Sequence, residues 1–446
     1  MDYFIEYVSS LNLPRIFVIF SLIFTLSLYL TKRIIINIFD PFLILILFIS
    51  FSLTLTTIML LDEMINLNEY VFLLLSVLSF FLGSLFSYKK HKKNKRESLL
   101  IFLRTNSRTG FYISCILWLI LIVSSFIMYS IKGIPIFSDD PSNAKVTLYQ
   151  SGFGFVRYLH MIFPPLIVGQ LILYLIVQTE KFYFFKKINL AIMLILISTF
   201  FISIFGGSKG ALFYILTALS LALFVIGTKN NKLYKKIYKS SIKLLFIAVI
   251  YVFSILYLTP NSKESLLVSL AIRFMAAGDA YYFYYGYNLS EIPQYSNLFI
   301  GDLFFYLIDP LLGMLGFKSH DYPLGSYVMH YATGYPLGEF GPNALLPIVA
   351  DIYFKKYFAW LFMFFMGYFF TFLRFNIVLL LMKFKDIGLF IYIFLWSTAS
   401  SLYSDIILFT SVLYIFLFFV LPIIIIIRLL LTTGIKYATT NNRCLQ

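Results

Sequence analysis

The chain alternates between apolar runs of membrane-spanning length and short polar segments. A spanning helix needs about 20 mostly apolar residues, and we predict 11 spans, with 10 to 12 as the acceptable range. They are residues 14–31, 41–61, 70–88, 111–130, 157–177, 188–205, 211–227, 244–258, 357–373, 387–402 and 406–427. Only 12% of the residues are charged, against roughly 25% in soluble proteins. The sequence therefore predicts an all-α polytopic integral membrane protein.

The charges between these runs are sorted by side. The runs KKHKKNKRE (residues 89–97) and KNNKLYKKIYKSSIK (residues 229–243) are the strongest basic clusters, so the positive-inside rule places both in the cytoplasm. By alternation, the inner loops carry 25 Lys and Arg residues and four acids, while the outer loops carry 10 basic and 16 acidic residues. The net charge of +15 therefore indicates orientation against an anionic leaflet, not a nucleic-acid partner.

Residues 259–356 form the one long segment without a spanning run or a lysine-rich cluster. We interpret the chain as a single integral domain, 1–446, with 259–356 as a large extracytoplasmic (periplasmic) loop within it. Residues 262–287 and 343–356 are expected to form short interfacial helices along the membrane surface, and Gly and Pro residues break the remainder into turns. A loop of this length is uncommon unless it has a function.

Three cations on the outer side are flanked by apolar residues: Arg157, Lys209 and Arg273. An ionisable group at membrane depth is costly unless it faces a cavity or a partner, so these cations suggest a site for a lipid diphosphate. Ser208 lies in the same Gly-rich turn as Lys209, and His160 is predicted on the same helix face as Arg157. The alternative for Ser208 and Lys209 is a simple tight turn. The alternative for Arg157 and His160 is an interfacial arginine beside a buried histidine.

Acid and base candidates for catalysis gather in the long loop. A sugar hydroxyl attacks poorly until a base accepts its proton, and a carboxylate or a neutral histidine can do so. The candidates are Asp279, His320, Asp321, His330, Glu339 and Asp351. A purely structural role is the alternative for each histidine.

A run of aromatic residues follows Asp279. Tyr281, Tyr284 and Tyr285 are candidates for stacking on sugar rings, and an interfacial aromatic belt is the alternative. No metal site or cofactor is predicted, because the two cysteines have no ligand spacing and the adjacent Asp139 and Asp140 fit a simple polar turn.

Four motifs in order resemble the Wzy-type O-antigen or oligosaccharide repeat-unit polymerases. They are GIPIFSDDPSNAK (133–145) before the span that starts with Arg157, GGSKGAL (206–212), Arg273 with Gly278 and Asp279, and GPNALLPIVADIYF (341–354). Together they cover most of the chain. The sequence departs from the family at Lys209, where the family usually has arginine, and at residues 355–356, where a small Gly-containing turn is usual.

The resemblance implies a glycosyltransferase in the bacterial inner membrane with a periplasmic active site. It would transfer a growing chain from undecaprenyl diphosphate to the non-reducing sugar of an incoming lipid-linked repeat unit, with a chain-length regulator and a flippase as possible partners. The cations would stabilise the leaving diphosphate, and an acid or histidine would accept the proton. The competing interpretations are an O-antigen ligase, a polysaccharide flippase or transporter, and a structural membrane subunit. A transporter would more often show two similar halves and charges within its spans.

Overall fold

The structure is a computed structural model, which describes residues 2–89, 107–138, 144, 148, 154–181, 186–206, 211–226, 232–258, 266–289, 300–317, 324–337 and 341–444. Within these ranges the chain is helical and contains no strand. This confirms the predicted all-α class. The predictions for His320, Asp321, Glu339, Ser208 and Lys209 lie outside the described residues.

The longer helices are numbered in chain order. They are α1 (Asp2–Ser10), α2 (Leu13–Thr31), α3 (Pro41–Leu61), α4 (Leu67–Lys89), α5 (Ser107–Lys132), α6 (Gly154–Lys181), α7 (Lys186–Phe205), α8 (Ala211–Ile226), α9 (Lys232–Leu258), α10 (Leu266–Met275), α11 (Asp279–Gly286), α12 (Ile300–Met314), α13 (Leu324–Thr333), α14 (Leu346–Thr371), α15 (Lys385–Thr398), α16 (Ile406–Ile415) and α17 (Leu421–Cys444). Short 3-10, π-helical and four-residue α-helical segments join some of them. These are Pro135–Phe137, Ala276–Gly278, Phe372–Asn376, Val378–Leu381, Met382–Phe384, Ser401–Ser404 and Phe416–Val420.

Each of the 11 predicted spans coincides with helical structure. Among the described residues, seven helices are long and apolar enough to cross a membrane, so the protein is a multi-pass membrane protein. They are Leu13–Thr31, Pro41–Leu61, Leu67–Lys89, Arg108–Phe137, Gly154–Ile176, Tyr357–Asn376 and Ile406–Thr433. Leu190–Phe205 and Ile215–Ile226 are shorter apolar helices. The exact number of spans stays a prediction.

The described residues divide into two compact units. The first unit draws on Met1–Lys92, Val249–Phe375 and Thr398–Ser411, and the second on the remainder. In the first unit, α4 and α14 approach so closely that a Cβ on Gly83 would collide with the carbonyl of Phe364, and one on Gly367 with that of Phe80. Small residues at such crossings let helix backbones pack directly against each other in membranes.

Helix α14 is interrupted at Lys355, whose φ of 56° and ψ of 172° are not helical. The helix predicted over 343–356 therefore begins at Leu346 and stops at Lys355, where a second helical stretch of spanning length begins. A positive φ is costly for a residue with a side chain. The backbone conformation at Lys355 is therefore strained.

The second unit is built around α6, the most buried of its candidate spans. Trp118 of α5 donates its indole N–H to Ser198 Oγ of α7 at 2.8 Å, and the Tyr129 hydroxyl donates to the carbonyl of Ile202 at 2.8 Å. Pro164 and Pro165 lie within α6. These bonds join α5 to α7 at two points, which lie about three turns apart on α5 and about one turn apart on α7.

Candidate functional site

A cavity of about 460 Å³ lies within the first unit. One wall is α3, from Ile44 to Ser52, and the opposite walls come from Arg273 to Asp279, the chain before α14 and the Ser401–Ser404 helix. The structure thus brings two of the predicted site residues, Arg273 and Asp279, to one cavity. No spacing in the sequence places α3 beside them.

The turn between α10 and α11 packs against the middle of α3. Ser52 Oγ donates a hydrogen bond to the carbonyl of Ala277 at 2.7 Å. A Cβ on Gly278 would lie 3.0 Å from the Ser52 Cα and from the Leu55 side chain, so a larger residue would force these neighbours to shift by a few tenths of an ångström. Ser52 lies nine residues before Leu61, the end of α3, which corresponds to roughly 13 Å along the helix axis. The contact favours a position within the span over the predicted position along the membrane surface.

Arg273 lies in the last turn of α10, is only partly buried and lines the cavity. Burial lowers its pKa, because desolvation disfavours the charged form. Neither Asp279 nor another acid in the described part of the chain forms an ion pair with it. An arginine that lines a cavity and is not paired with a protein carboxylate can bind an anionic group of a ligand.

Asp279 is the first residue of α11 and lines the same cavity. Burial raises its pKa to about 7, and a hydrogen bond of 2.7 Å from the backbone N–H of Ala280 opposes part of that shift. A carboxyl group with this pKa is partly protonated at neutral pH. It can accept a proton from a hydroxyl group and release it again without a large energy penalty.

Asn343 completes the polar lining from the loop before α14. Its position depends on a backbone crossing in which a Cβ on Gly325 would collide with the carbonyl of Pro342, and one on Gly341 with the backbone of Gly325. The two glycines therefore allow the GPN segment to pass under α13. The exposed Asn343 amide offers both a donor and an acceptor to a polar ligand.

The predicted sugar-binding tyrosines have a different environment. Tyr281, Tyr284 and Tyr285 are each at most 1% exposed and do not line the cavity. The rings of Tyr281 and Tyr285 pack with their centroids 6.0 Å apart, and those of Tyr284 and Tyr285 lie 4.9 Å apart. In this conformation the rings pack the interior, so a sugar would reach them only after α11 moves.

His330 lies in α13, also outside the cavity lining. Its Nδ1 is 2.7 Å from the carbonyl oxygen of Tyr335. Because a carbonyl only accepts hydrogen bonds, Nδ1 carries the proton and Nε2 is the acceptor nitrogen of the neutral ring. This bond holds the chain after the helix, where Gly334 has a φ of 72°.

Arg157 and His160 belong to the second unit. His160 Nε2 lies 2.9 Å from Ser125 Oγ, and that hydroxyl donates its own proton to the carbonyl of Leu121. His160 is therefore the donor in the bond to Ser125. Arg157 is exposed in the first turn of α6, with no ion pair to the rest of the described chain. His160 thus links α6 to α5 by a hydrogen bond, whereas Arg157 is accessible to solvent.

Sequence reasoning missed the polar residues that α3 and the Ser401–Ser404 region contribute. Ser52 belongs to a series of hydroxyl residues within an otherwise apolar span, and that series was a usable signal. Its members are Ser50, Ser52, Thr54, Thr56 and Thr57. Asn343 lies in the motif at residues 341–354 that the sequence analysis had singled out. No feature of the neighbouring sequence marked Ser400, Tyr403 or Ser404 as cavity residues.

No protein-family model matches the chain, and no curated protein or solved structure shows significant similarity to it.

Proposed function

We propose that this protein is a polymerase of lipid-linked oligosaccharide repeat units, of the Wzy type, in the bacterial inner membrane. It transfers a growing chain from undecaprenyl diphosphate to the non-reducing sugar of an incoming undecaprenyl-diphosphate-linked unit. The observation that carries this proposal is the shared cavity of Arg273 and Asp279. The order of the sequence motifs supports it.

Asp279 and Arg273 fit the two roles that a glycosyl transfer requires, a base for the acceptor hydroxyl and a cation for the leaving diphosphate. The acceptor hydroxyl attacks the anomeric carbon and gives its proton to the Asp279 carboxylate. The bond between that carbon and the diphosphate oxygen breaks, and its electron pair stays on the diphosphate, where Arg273 stabilises the charge as it develops. The sugar passes through a state with oxocarbenium character. The products are the lengthened glycan on its lipid and free undecaprenyl diphosphate.

The walls of the cavity fit a ligand that is part sugar phosphate and part lipid. Ile44, Phe48 and Ile49 of α3 supply an apolar wall, while Arg273 and Asn343 supply polar groups. An amphipathic substrate can place its diphosphate at the arginine and the first part of its hydrocarbon chain along α3. We propose that the substrate reaches this site from the periplasmic side, which the charge distribution between the loops supports.

The test is complementation of a deletion strain, with surface polysaccharide separated on a gel. We expect deletion to reduce a ladder of chains to core plus one repeat unit, and the wild type to restore the ladder. Arg273→Ala should fail at equal protein level, and Arg273→Lys should restore part of it because it keeps the charge. Arg15→Ala is the matched control, since Arg15 lies in the same unit and pairs with Asp62 outside the cavity.

Two outcomes contradict the proposal. If Arg273→Ala restores the full ladder of chain lengths, the cavity is not the site of polymerisation. Loss of every repeat unit from the core in the deletion strain, with lipid-linked material accumulating, indicates a ligase or a flippase. Accumulation at the outer leaflet identifies the ligase, and accumulation at the inner leaflet the flippase.

A further inference from the structure

A cluster of buried polar groups lies behind the cavity wall in the first unit. It consists of Tyr281 and Tyr285 of α11, Tyr403, Asp351 of α14 and Glu69 of α4, all at most 5% exposed. The reaction described above uses none of them. Phe283, on the same helix, is equally buried without a hydroxyl group, so packing alone does not require tyrosine at these positions.

The members of this cluster follow one another away from the cavity. Tyr403 lines the cavity, and its hydroxyl is a close electrostatic neighbour of the Tyr281 hydroxyl. The Tyr285 ring packs with its centroid 6.0 Å from that of Tyr281, and its hydroxyl interacts electrostatically with the carboxyl groups of Asp351 and Glu69 and with Tyr403. The series thus leads from the cavity wall to two buried acids.

Asp351 and Glu69 each have a charged or polar neighbour among the described residues. Lys355 is one helical turn after Asp351 and interacts with it electrostatically. The Asn66 side chain accepts a hydrogen bond of 2.9 Å from the backbone N–H of Glu69, which fixes the first turn of α4. Glu69 lies in the first turn of α4, the end of the helix that the charge distribution predicts on the periplasmic side.

The Tyr285 hydroxyl oxygen is buried without a partner in hydrogen-bond geometry among the described residues, and the hydroxyls of Tyr281 and Tyr403 are buried beside each other with no further partner there. A buried hydroxyl left without a hydrogen bond costs about 1–3 kcal/mol, and proteins commonly avoid this cost with internal water that makes about three hydrogen bonds. Three buried hydroxyls with unused hydrogen-bonding capacity in one cluster make a polar site of the kind that holds internal water.

We propose that Tyr403, Tyr281 and Tyr285, bridged by bound water, form a proton path between the cavity and the carboxyl groups of Asp351 and Glu69. Each hydroxyl gives its proton to the next oxygen and receives one from the oxygen before it. One proton moves along the path and every tyrosine ends in its original neutral state. This inference rests on the proposed function for the origin of the proton, which is the acceptor hydroxyl that Asp279 deprotonates.

The first test measures turnover in H2O and D2O. It uses the full-length protein in lipid nanodiscs and lipid-linked oligosaccharide extracted from the deletion strain. We expect Tyr281→Phe and Tyr285→Phe each to lower kcat about 10-fold, with little change in KM and a larger solvent isotope effect, because proton transfer then limits the rate. Tyr282→Phe is the matched control on the same helix, since that hydroxyl points to the Tyr3 carbonyl, 3.5 Å away. Rates and isotope effects equal to this control overturn the path.

The second test needs no substrate and no polymerase activity. Infrared difference spectra between the wild type and Tyr285→Phe isolate the C–O–H band of Tyr285, whose shift in D2O reports proton exchange. Exchange within seconds in the wild type, slowed in Tyr403→Phe, supports a water-filled path. Exchange as slow as that of the α11 backbone amides overturns it. Failure of polymerisation with fast, Tyr403-dependent exchange would reject the proposed function and keep the path.

Discussion

Asp40 accepts a hydrogen bond from Arg374, 334 positions later in the chain, and neither side chain is exposed to solvent. The Asp40 carboxylate also accepts from the backbone N–H groups of Ile36 and Phe42, both at 2.8 Å, and so caps α3. The Arg374 guanidinium lies 4.9 to 5.5 Å from the ring centres of three phenylalanines, which are Phe42, Phe370 and Phe375. This pair fixes the first turn of α3 to the π-helical segment that follows α14.

Arg374→Met should destabilise the protein by about 3–5 kcal/mol, because it leaves the Asp40 carboxylate buried without its counter-charge. The measurement is thermal unfolding of the purified protein in detergent. Asp40→Asn combined with Arg374→Met should cost less than the sum of the two single changes. Arg15→Met is the control, because its ion pair with Asp62 is partly exposed and such pairs contribute about 0–1 kcal/mol. Equal effects of the two arginine changes would contradict this role for the buried pair.

The helical class and the apolar spanning segments could be predicted from sequence because both depend on local quantities, whereas the sidedness of the loops stays a prediction. Apolar length sets the spans, and lysine and arginine clusters set the orientation. Each ion pair joins residues that are predicted on the same side of the membrane: Asp40–Arg374 and Asp386–Arg428 on one side, and Arg15–Asp62 on the other. Several helices extend beyond the predicted limits, most of all α9, which begins at Lys232 instead of 244, and α17, which ends at Cys444 instead of 427, since polar residues extend helices beyond the apolar run.

The candidate site could be predicted only in part. Arg273 and Asp279 stood out because charge is rare among apolar residues. Ser52 and Tyr403 did not, because their part in the cavity depends on which helices pack together. The tyrosines of α11 looked accessible for the same reason, since an aromatic run has one composition whether it faces lipid, ligand or the protein interior.

Gly83→Ala and Gly367→Ala should each destabilise the protein by about 1–3 kcal/mol, because the new Cβ has no space at the crossing of α4 and α14. The Ser84 hydroxyl, which donates to the Gly367 carbonyl at 3.0 Å, should weaken its bond when the helices separate. Thermal unfolding in detergent measures both effects. Gly313→Ala in α12 is the control, because nothing lies within 4 Å of its added methyl group. A helical alanine there should be neutral or stabilising by up to about 1 kcal/mol.

Arg273→Ala should weaken binding of undecaprenyl diphosphate roughly 10- to 100-fold, as expected for loss of a hydrogen-bonded charge worth about 1.5–3 kcal/mol. Arg273→Lys should retain part of the affinity, since an ammonium keeps the charge without the planar fork. The measurement is displacement of a fluorescent polyprenyl diphosphate from protein in nanodiscs. Arg15→Ala should bind like the wild type. Unchanged affinity in Arg273→Ala would show that the diphosphate binds elsewhere.

Polymerisation should rise as the pH increases through about 7, because Asp279 accepts a proton only when ionised and burial holds its pKa near that value. Asp279→Asn should lower kcat by about 10²–10⁴ and remove this pH dependence. The free energy of unfolding should fall over the pH range in which the rate of polymerisation rises. A folded-state pKa above the ordinary 3.8 means that the native protein favours the protonated acid, so this group's contribution to stability falls from about pH 4 to pH 7. Asp279→Asn should therefore raise Tm more at pH 8 than at pH 5. A wild-type rate independent of pH would contradict Asp279 as the base.

The contact between Ser52 and Ala277 predicts that the turn joining α10 and α11 lies within the membrane. In a background with Cys115→Ser and Cys444→Ser, spin labels at Ala276→Cys and Tyr287→Cys test this by their accessibility to oxygen and to a water-soluble nickel chelate. Ala276 lines the cavity beside the middle of α3, whereas Tyr287 follows α11 and is exposed. We expect the label at 276 to lie on the order of 10 Å deeper than the label at 287, given 1.5 Å of rise per helical residue. Equal depths would instead favour helices lying along the surface, and the arginine and aspartate of the cavity would then meet their substrate at the membrane interface.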